Sequence, residues 1–69
     1  MAEYWEIMRE IREDHKLTQT QIAEYLGTTQ QQYSAYERGL VEFPLRHAFA
    51  LRKLYHLTLD ELFGLKKDW

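Results

Sequence analysis

Sixty-nine residues suffice for one small domain; a chain of this length buries only about 60% of the surface it exposes when unfolded, so one compact core must carry its stability. With no cysteine, neither a disulfide framework nor a cysteine-ligated zinc is available, and 45% apolar content with three Gly and one Pro excludes disordered and low-complexity classes. The net charge of −2 is uneven, −3 over residues 1–14 and +1 over residues 15–69, so bulk charge neither supports nor excludes a nucleic-acid partner.

The elements read in chain order as five short helices. Residues 4–15 place Tyr4, Ile7, Met8 and Ile11 on one face at three- and four-residue spacing, an amphipathic helix. Thr18-Gln19-Thr20-Gln21 has the form Thr-x-x-Gln/Glu of a capping box and opens a helix over 19–26 through Ile22, Ala23 and Leu26, with Gly27 as a left-handed stop. Thr29-Gln30-Gln31-Gln32 repeats the signature and opens a helix over 30–37 with Tyr33 and Tyr36 inward, stopped by Gly39. Pro44 suits the first turn of a fourth helix through Leu45, Ala48, Phe49, Leu51, Leu54 and Tyr55. Thr58-Leu59-Asp60-Glu61 opens a fifth through Leu62 and Phe63, ended by Gly64. No stretch shows the two-residue alternation of a strand. The expectation is an all-α, compact bundle forming one domain over 1–69, with its core in 4–64 and a short tail at 65–69.

About three residues (Gly27, Thr28 and Thr29) separate the second and third helices. A turn that short, with a glycine in it, is the helix-turn-helix arrangement, here over residues 19–38. Such a unit presents the N-terminal turn of its second helix to the DNA major groove. Gln30, Gln31 and Gln32 stand there, and Gln30, Gln31, Ser34, Ala35 and Arg38 lie largely opposite the face of Tyr33, Tyr36 and Glu37. A glutamine amide offers both a donor and an acceptor, the complement of adenine N6 and N7. Ala35 fits a thymine methyl, and Gln19 at the start of its helix fits a phosphate.

These residues, with Ile11 to Gln19, Gln21 to Thr29, Tyr36-Glu37-Arg38-Gly39, Pro44-Leu45 and Leu57 to Leu62, resemble the Cro/repressor-type helix-turn-helix family (the xenobiotic-response-element group) across residues 7–64. Leu26-Gly27-Thr28-Thr29-Gln30-Gln31 is especially similar to its phage-repressor members. The resemblance implies a lambda-repressor-like, five-helix DNA-binding domain that controls transcription as a homodimer on a pseudo-palindromic operator in double-stranded DNA. By position it implies base contacts from Gln30 and Gln31 and phosphate contacts from Gln19, Gln32 and Arg38; beside these, Ser34 and Ala35 are expected to support the base contacts and Thr29 to join the phosphate contacts. It also implies an internal ion pair between Arg12 and Glu37. Three positions depart from the family pattern. The loop Leu40-Val41-Glu42-Phe43 lacks the usual phosphate-binding Lys or Arg, Ala35 replaces a polar reader, and Arg52 stands where a small apolar residue is usual. The first two imply weaker electrostatic anchoring and a looser operator code.

Other readings stand beside these. Arg12 could be an ordinary exposed charge next to Glu13. Glu3, Glu6, Glu10 and Glu13 read as a solvated face rather than a catalytic set. His15, His47 and His56 lack metal-ligand spacing, and no nucleophile with a base or Gly-rich phosphate loop stands out, so no catalytic residue, metal, cofactor or small-molecule ligand is expected. Leu40, Val41 and Phe43, with Leu65 and Trp69, read as core cover with some dimer contact. No apolar run approaches the roughly 20 residues of a membrane span. The acidic N-terminus argues against a targeting leader, and the chain reads as cytoplasmic. The alternative function is a protein-interaction module on the same fold, of antitoxin or anti-repressor type.

Overall fold

Threonine caps and left-handed closures cut the chain into its helices. The computed structural model describes residues 3–64 and contains α1 (Tyr4–Asp14), α2 (Gln19–Leu26), α3 (Gln30–Glu37), α4 (Leu45–Tyr55) and α5 (Leu59–Leu62), with no strand among the described residues. Thr18 and Thr58 each form a complete capping box, with Gln21 and Glu61 respectively. Thr29 makes only half of one. Its hydroxyl oxygen accepts from the Gln32 N–H at 3.1 Å, but the Gln32 side chain turns along the helix and donates to the Tyr36 hydroxyl at 3.3 Å. Pro44 stands one position earlier than expected, as the extended N-cap of α4 at ψ 143° rather than inside its first turn.

The helix ends follow one scheme, in which a residue with positive φ lets the following N–H return to a carbonyl five residues back. Thr28 N–H reaches Ala23 O at 2.9 Å and Leu40 N–H reaches Ala35 O at 3.0 Å, across Gly27 and Gly39. The same closure occurs at Leu17 to Arg12 and Leu57 to Arg52, but there the left-handed residues are Lys16 (φ 57°) and His56 (φ 58°). Sequence reading misses those two because it looks for glycine.

Each helix contributes to one core: Met8 from α1, Ile22 and Ala23 from α2, Tyr33 and Tyr36 from α3, Ala48, Leu51 and Tyr55 from α4, and Leu62 from α5. α2 packs on α3, α4 on α5, and α1 touches both α3 and α5. Leu45 and Phe49 depart from expectation, being 61% and 47% exposed. They sit four residues apart on a stripe of α4 turned away from that of Ala48, Leu51 and Tyr55. Core cover in the α3–α4 loop is likewise confined to Phe43, whose ring lies 5.2 Å from that of Tyr36. Leu40 and Val41 are exposed, and Leu65 and Trp69 lie outside the described residues. Arg52 is accommodated half-buried at the C-terminal end of α4.

Two glycines give a graded stability test. Both have positive φ, +75° at Gly27 and +72° at Gly39, but a Cβ at Gly27 meets open space while one at Gly39 falls 2.5 Å from the Trp5 ring. Gly27→Ala is expected to cost about 1 kcal/mol from backbone strain. Gly39→Ala adds displacement of the indole and is expected to cost about 2–3 kcal/mol. Urea unfolding of the two variants checks the ranking.

Candidate nucleic-acid interface

α2 and α3 meet across Gly27, Thr28 and the cap Thr29, so the inner face of α3 is buried and its outer face is open. Tyr33, Tyr36 and Glu37 are buried; Gln30, Gln31, Gln32 and Arg38 are exposed; Ser34 and Ala35 lie half-buried between them. The exposed row therefore consists of three neutral amides followed by a cation. The Arg38 Nε–H donates weakly to the Ser34 carbonyl at 3.4 Å, and Arg38 has no ion pair among the described residues. Thr29 caps the helix that carries this row, so its hydroxyl oxygen is already engaged.

Behind this row a polar chain runs inward. Arg12 is 8% and Glu37 4% exposed, and they form a two-pronged pair, Nε to Oε2 at 2.7 Å and Nη2 to Oε1 at 3.1 Å. The third prong, Arg12 Nη1, donates to the Leu17 carbonyl at 2.8 Å, tying α1 to the α1–α2 turn as well as to α3. Glu13 stands 3.9 Å off and is largely exposed, so Arg12 is an internal group rather than a surface charge beside Glu13. Burial opposes the charge on Glu37, but the hydrogen bonds from Arg12, with smaller contributions from the neighbouring Tyr33 hydroxyl and from Gln19, outweigh it and hold the carboxyl below its ordinary range. Arg12 is held protonated by the same hydrogen bond.

Gln19 extends the chain outward. Its Nε2 donates to Glu37 Oε1 at 3.1 Å, and its Oε1 accepts from Gln30 Nε2 at 3.0 Å. The structure thus brings Gln19, Gln30, Glu37 and Arg12 into one network, while Gln31 and Arg38 stand outside it. Spacing alone marks Gln19 as a group facing outward; its link to Glu37, eighteen residues on, has no local signal. The hydroxyls of Tyr33 and Tyr55 are buried without a hydrogen-bond partner among the described residues. Burial, with a lesser contribution from Glu37, pushes the Tyr33 phenol well above its ordinary value and that of Tyr55 up to about 12, so both stay neutral.

A histidine locks α3 to α4. His47 is 6% exposed, with the Tyr36 and Phe43 rings each 5.9 Å away. Burial, then the neighbouring Arg46 charge, lowers its pKa below the ordinary 6.5. The folded state therefore holds the neutral ring. Its contribution is complete above pH 6.5 and is lost as pH falls from there through the depressed folded value. Thermal melts between about pH 7 and pH 5 should show this loss, and His47→Phe should flatten it.

Among the described residues no group of three or more His, Cys, Asp or Glu is placed to hold a metal ion, and no helix is long and apolar enough to cross a membrane. Two short helices joined by a left-handed glycine turn, the second with a polar outer face, form a helix-turn-helix unit. The Helix-turn-helix family model matches residues 8–62, and the chain belongs to that family. It is 35% identical over 65 residues, 94% of its length, to a Bacillus subtilis (strain 168) protein described as an uncharacterized HTH-type transcriptional regulator, YobD. The chain spans 58% of that relative's length. No solved structure shows a significant match.

Proposed function

We propose that this chain is a sequence-specific, non-enzymatic DNA-binding regulator of transcription, a repressor, that lays α3 in the major groove and works in the cytoplasm. The exposed amide row Gln30-Gln31 on α3, its first member tied through Gln19 to the buried Arg12–Glu37 pair, is the observation that carries this reading. Gln30 and Gln31 read base edges, with Ser34 and Ala35 beside them; Gln19, Thr29, Gln32 and Arg38 face the phosphates. Two copies bind half-sites of a pseudo-palindrome about one helical turn apart, roughly 34 Å.

Selection of a random duplex pool by the purified chain at low salt, followed by sequencing, tests it. A pseudo-palindrome with half-sites about 10 bp apart is expected; retention without any enriched sequence would overturn sequence specificity. Arg38→Ala should weaken all sequences alike and lower the slope of log affinity against log salt by about one. A sequence-selective loss would contradict a phosphate role for Arg38.

One observation favours a second reading, a module that binds a protein partner. Leu40 (67% exposed) and Val41 (42% exposed) present apolar surface in the loop where the family carries bases. Failure of the chain to be retained on any duplex at low salt would favour that reading.

A further inference from the structure

The corner between α4 and α5 gathers basic groups that the α3 face does not use. A cavity of about 430 Å³ opens there, lined by Arg52, Lys53, His56, Leu57, Thr58 and Glu61. Backbone geometry builds it. His56 turns left-handed at φ 58°, and the Leu57 N–H closes α4 on the Arg52 carbonyl at 3.0 Å. Thr58 then caps α5 at once, so the last turn of α4 and the first of α5 share one hollow. Arg52 and Lys53 stand in that last turn of α4, where cations suit the helix dipole. An exposed side chain serves that purpose, as Lys53 does; Arg52 is instead half-buried and lines the cavity. Its guanidinium has no ion pair or hydrogen bond among the described residues. A charge withdrawn from water is costly unless a partner replaces the water.

The side chains of this lining are rich in donors and poor in acceptors. A guanidinium and an ammonium only donate, and an imidazole carries at least one ring N–H. The Thr58 hydroxyl oxygen accepts from the Glu61 N–H at 3.1 Å, which leaves its O–H to donate. Glu61 brings the one carboxylate of the lining, and it is engaged in the cap, its Oε1 accepting from the Thr58 N–H at 2.9 Å. We infer that this cavity binds a small phosphate ester, its phosphate held by Arg52, Lys53, His56 and Thr58 and its organic part against Leu57. A carboxylate has two oxygens to share among four donor groups, whereas a phosphate monoester has three terminal ones. The volume falls in the range of about 300–1,000 Å³ usual for small-molecule sites, more than a bare ion fills. No residue of α2 or α3 lines the cavity, so the site is separate from the helix-turn-helix face and does not depend on the DNA-binding reading.

Titration of the isotope-labelled chain with glycerol phosphate at fixed ionic strength, followed by NMR, tests the site. Saturable shifts are expected at the backbone amides of residues 52–61, with acetate at the same concentrations moving them little. Arg52→Met should weaken binding at least about tenfold, the loss of a hydrogen-bonded charge. Lys53→Met should weaken it by a smaller factor, and because Lys53 is exposed it reports on binding even where Arg52→Met disturbs the corner. Shifts that do not saturate, that appear equally beside Arg9, Arg38 and Arg46, or that survive in both variants would mean an adventitious ion only. Any of these would overturn the inference and leave Arg52 a helix-end charge. The DNA backbone is the other source of phosphate, and salt dependence separates the two. Arg52→Met should leave the slope of log duplex affinity against log salt unchanged. A fall of about one would assign Arg52 to a backbone phosphate and overturn a free-ligand site. Where the chain is retained on no duplex, the titration decides by itself.

Discussion

Arg12→Met is expected to cost about 3–5 kcal/mol, because it leaves the Glu37 carboxylate buried without its cation. A domain of this size has a total stability of roughly 3–10 kcal/mol, so the variant should be largely unfolded or melt tens of degrees lower. Methionine keeps most of the aliphatic volume of arginine, so lost charge pairing rather than a cavity dominates. Glu37→Met should cost a similar amount by stranding Arg12. Arg12→Met/Glu37→Met should recover most of the loss, since replacing both members of a buried pair with apolar groups is often near neutral. Urea unfolding of the two single variants and the double variant, read as a cycle, measures the coupling. The pair also sets an acid limit. The folded carboxyl of Glu37 titrates below its ordinary 4.5, so its contribution is complete above pH 4.5 and disappears as pH falls from there through the folded value. The double variant should lack that acid-sensitive limb.

Gln30→Ala and Gln31→Ala are each expected to remove about 1–3 kcal/mol of base discrimination, about five- to 150-fold in relative affinity, at one base pair per half-site. Both side chains are exposed, so their removal leaves the core untouched, and melting temperatures should move little. The two variants should still differ in the free protein. Gln30→Ala removes a partner of Gln19, whose oxygen then turns to water, whereas Gln31 stands outside the network. Binding measured on single-base operator variants checks the effect. Unchanged preference in both would show that the readers lie elsewhere on the surface, with the flanks of Ser34 and Ala35 the next positions to test.

What could be read from the chain was whatever depends on neighbours in sequence. A threonine followed three residues later by Gln or Glu marks a helix start because both partners belong to one turn of backbone. This located α2, α3 and α5 to the residue at their starts. Gly27 and Gly39 marked helix ends for the same reason. Local reading failed where a residue had a choice. Gln32 is spaced to complete a capping box, yet its amide goes to the Tyr36 hydroxyl instead. Lys16 and His56 adopt left-handed φ without being glycine, which composition cannot signal. Leu45 and Phe49 satisfy an apolar pattern, but the width of the buried face of α4 depends on where α3 and α5 lie against it.

The same division holds for the candidate site. Alternation of apolar and polar residues around α3 was enough to separate Tyr33, Tyr36 and Glu37 from the amide row, because helical geometry is periodic whatever surrounds it. The Gly27 turn was enough to pair α2 with α3. The resemblance to a family suggested that Arg12 and Glu37 belong together, but their distance in sequence, twenty-five residues, leaves no local trace. Only the packing of α1 against α3 brought guanidinium and carboxylate to 2.7 Å and excluded water from them. Only the crossing of α2 and α3 placed Gln19 between that carboxylate and Gln30. The sequence by itself therefore determined the helices, their order and the polar face of α3, since backbone hydrogen bonds and helical periodicity are set within a few residues. Tertiary structure decided which polar groups are buried and which amide orientation each must take. Burial and hydrogen-bond direction depend on atoms that residues far apart in sequence bring to the same point.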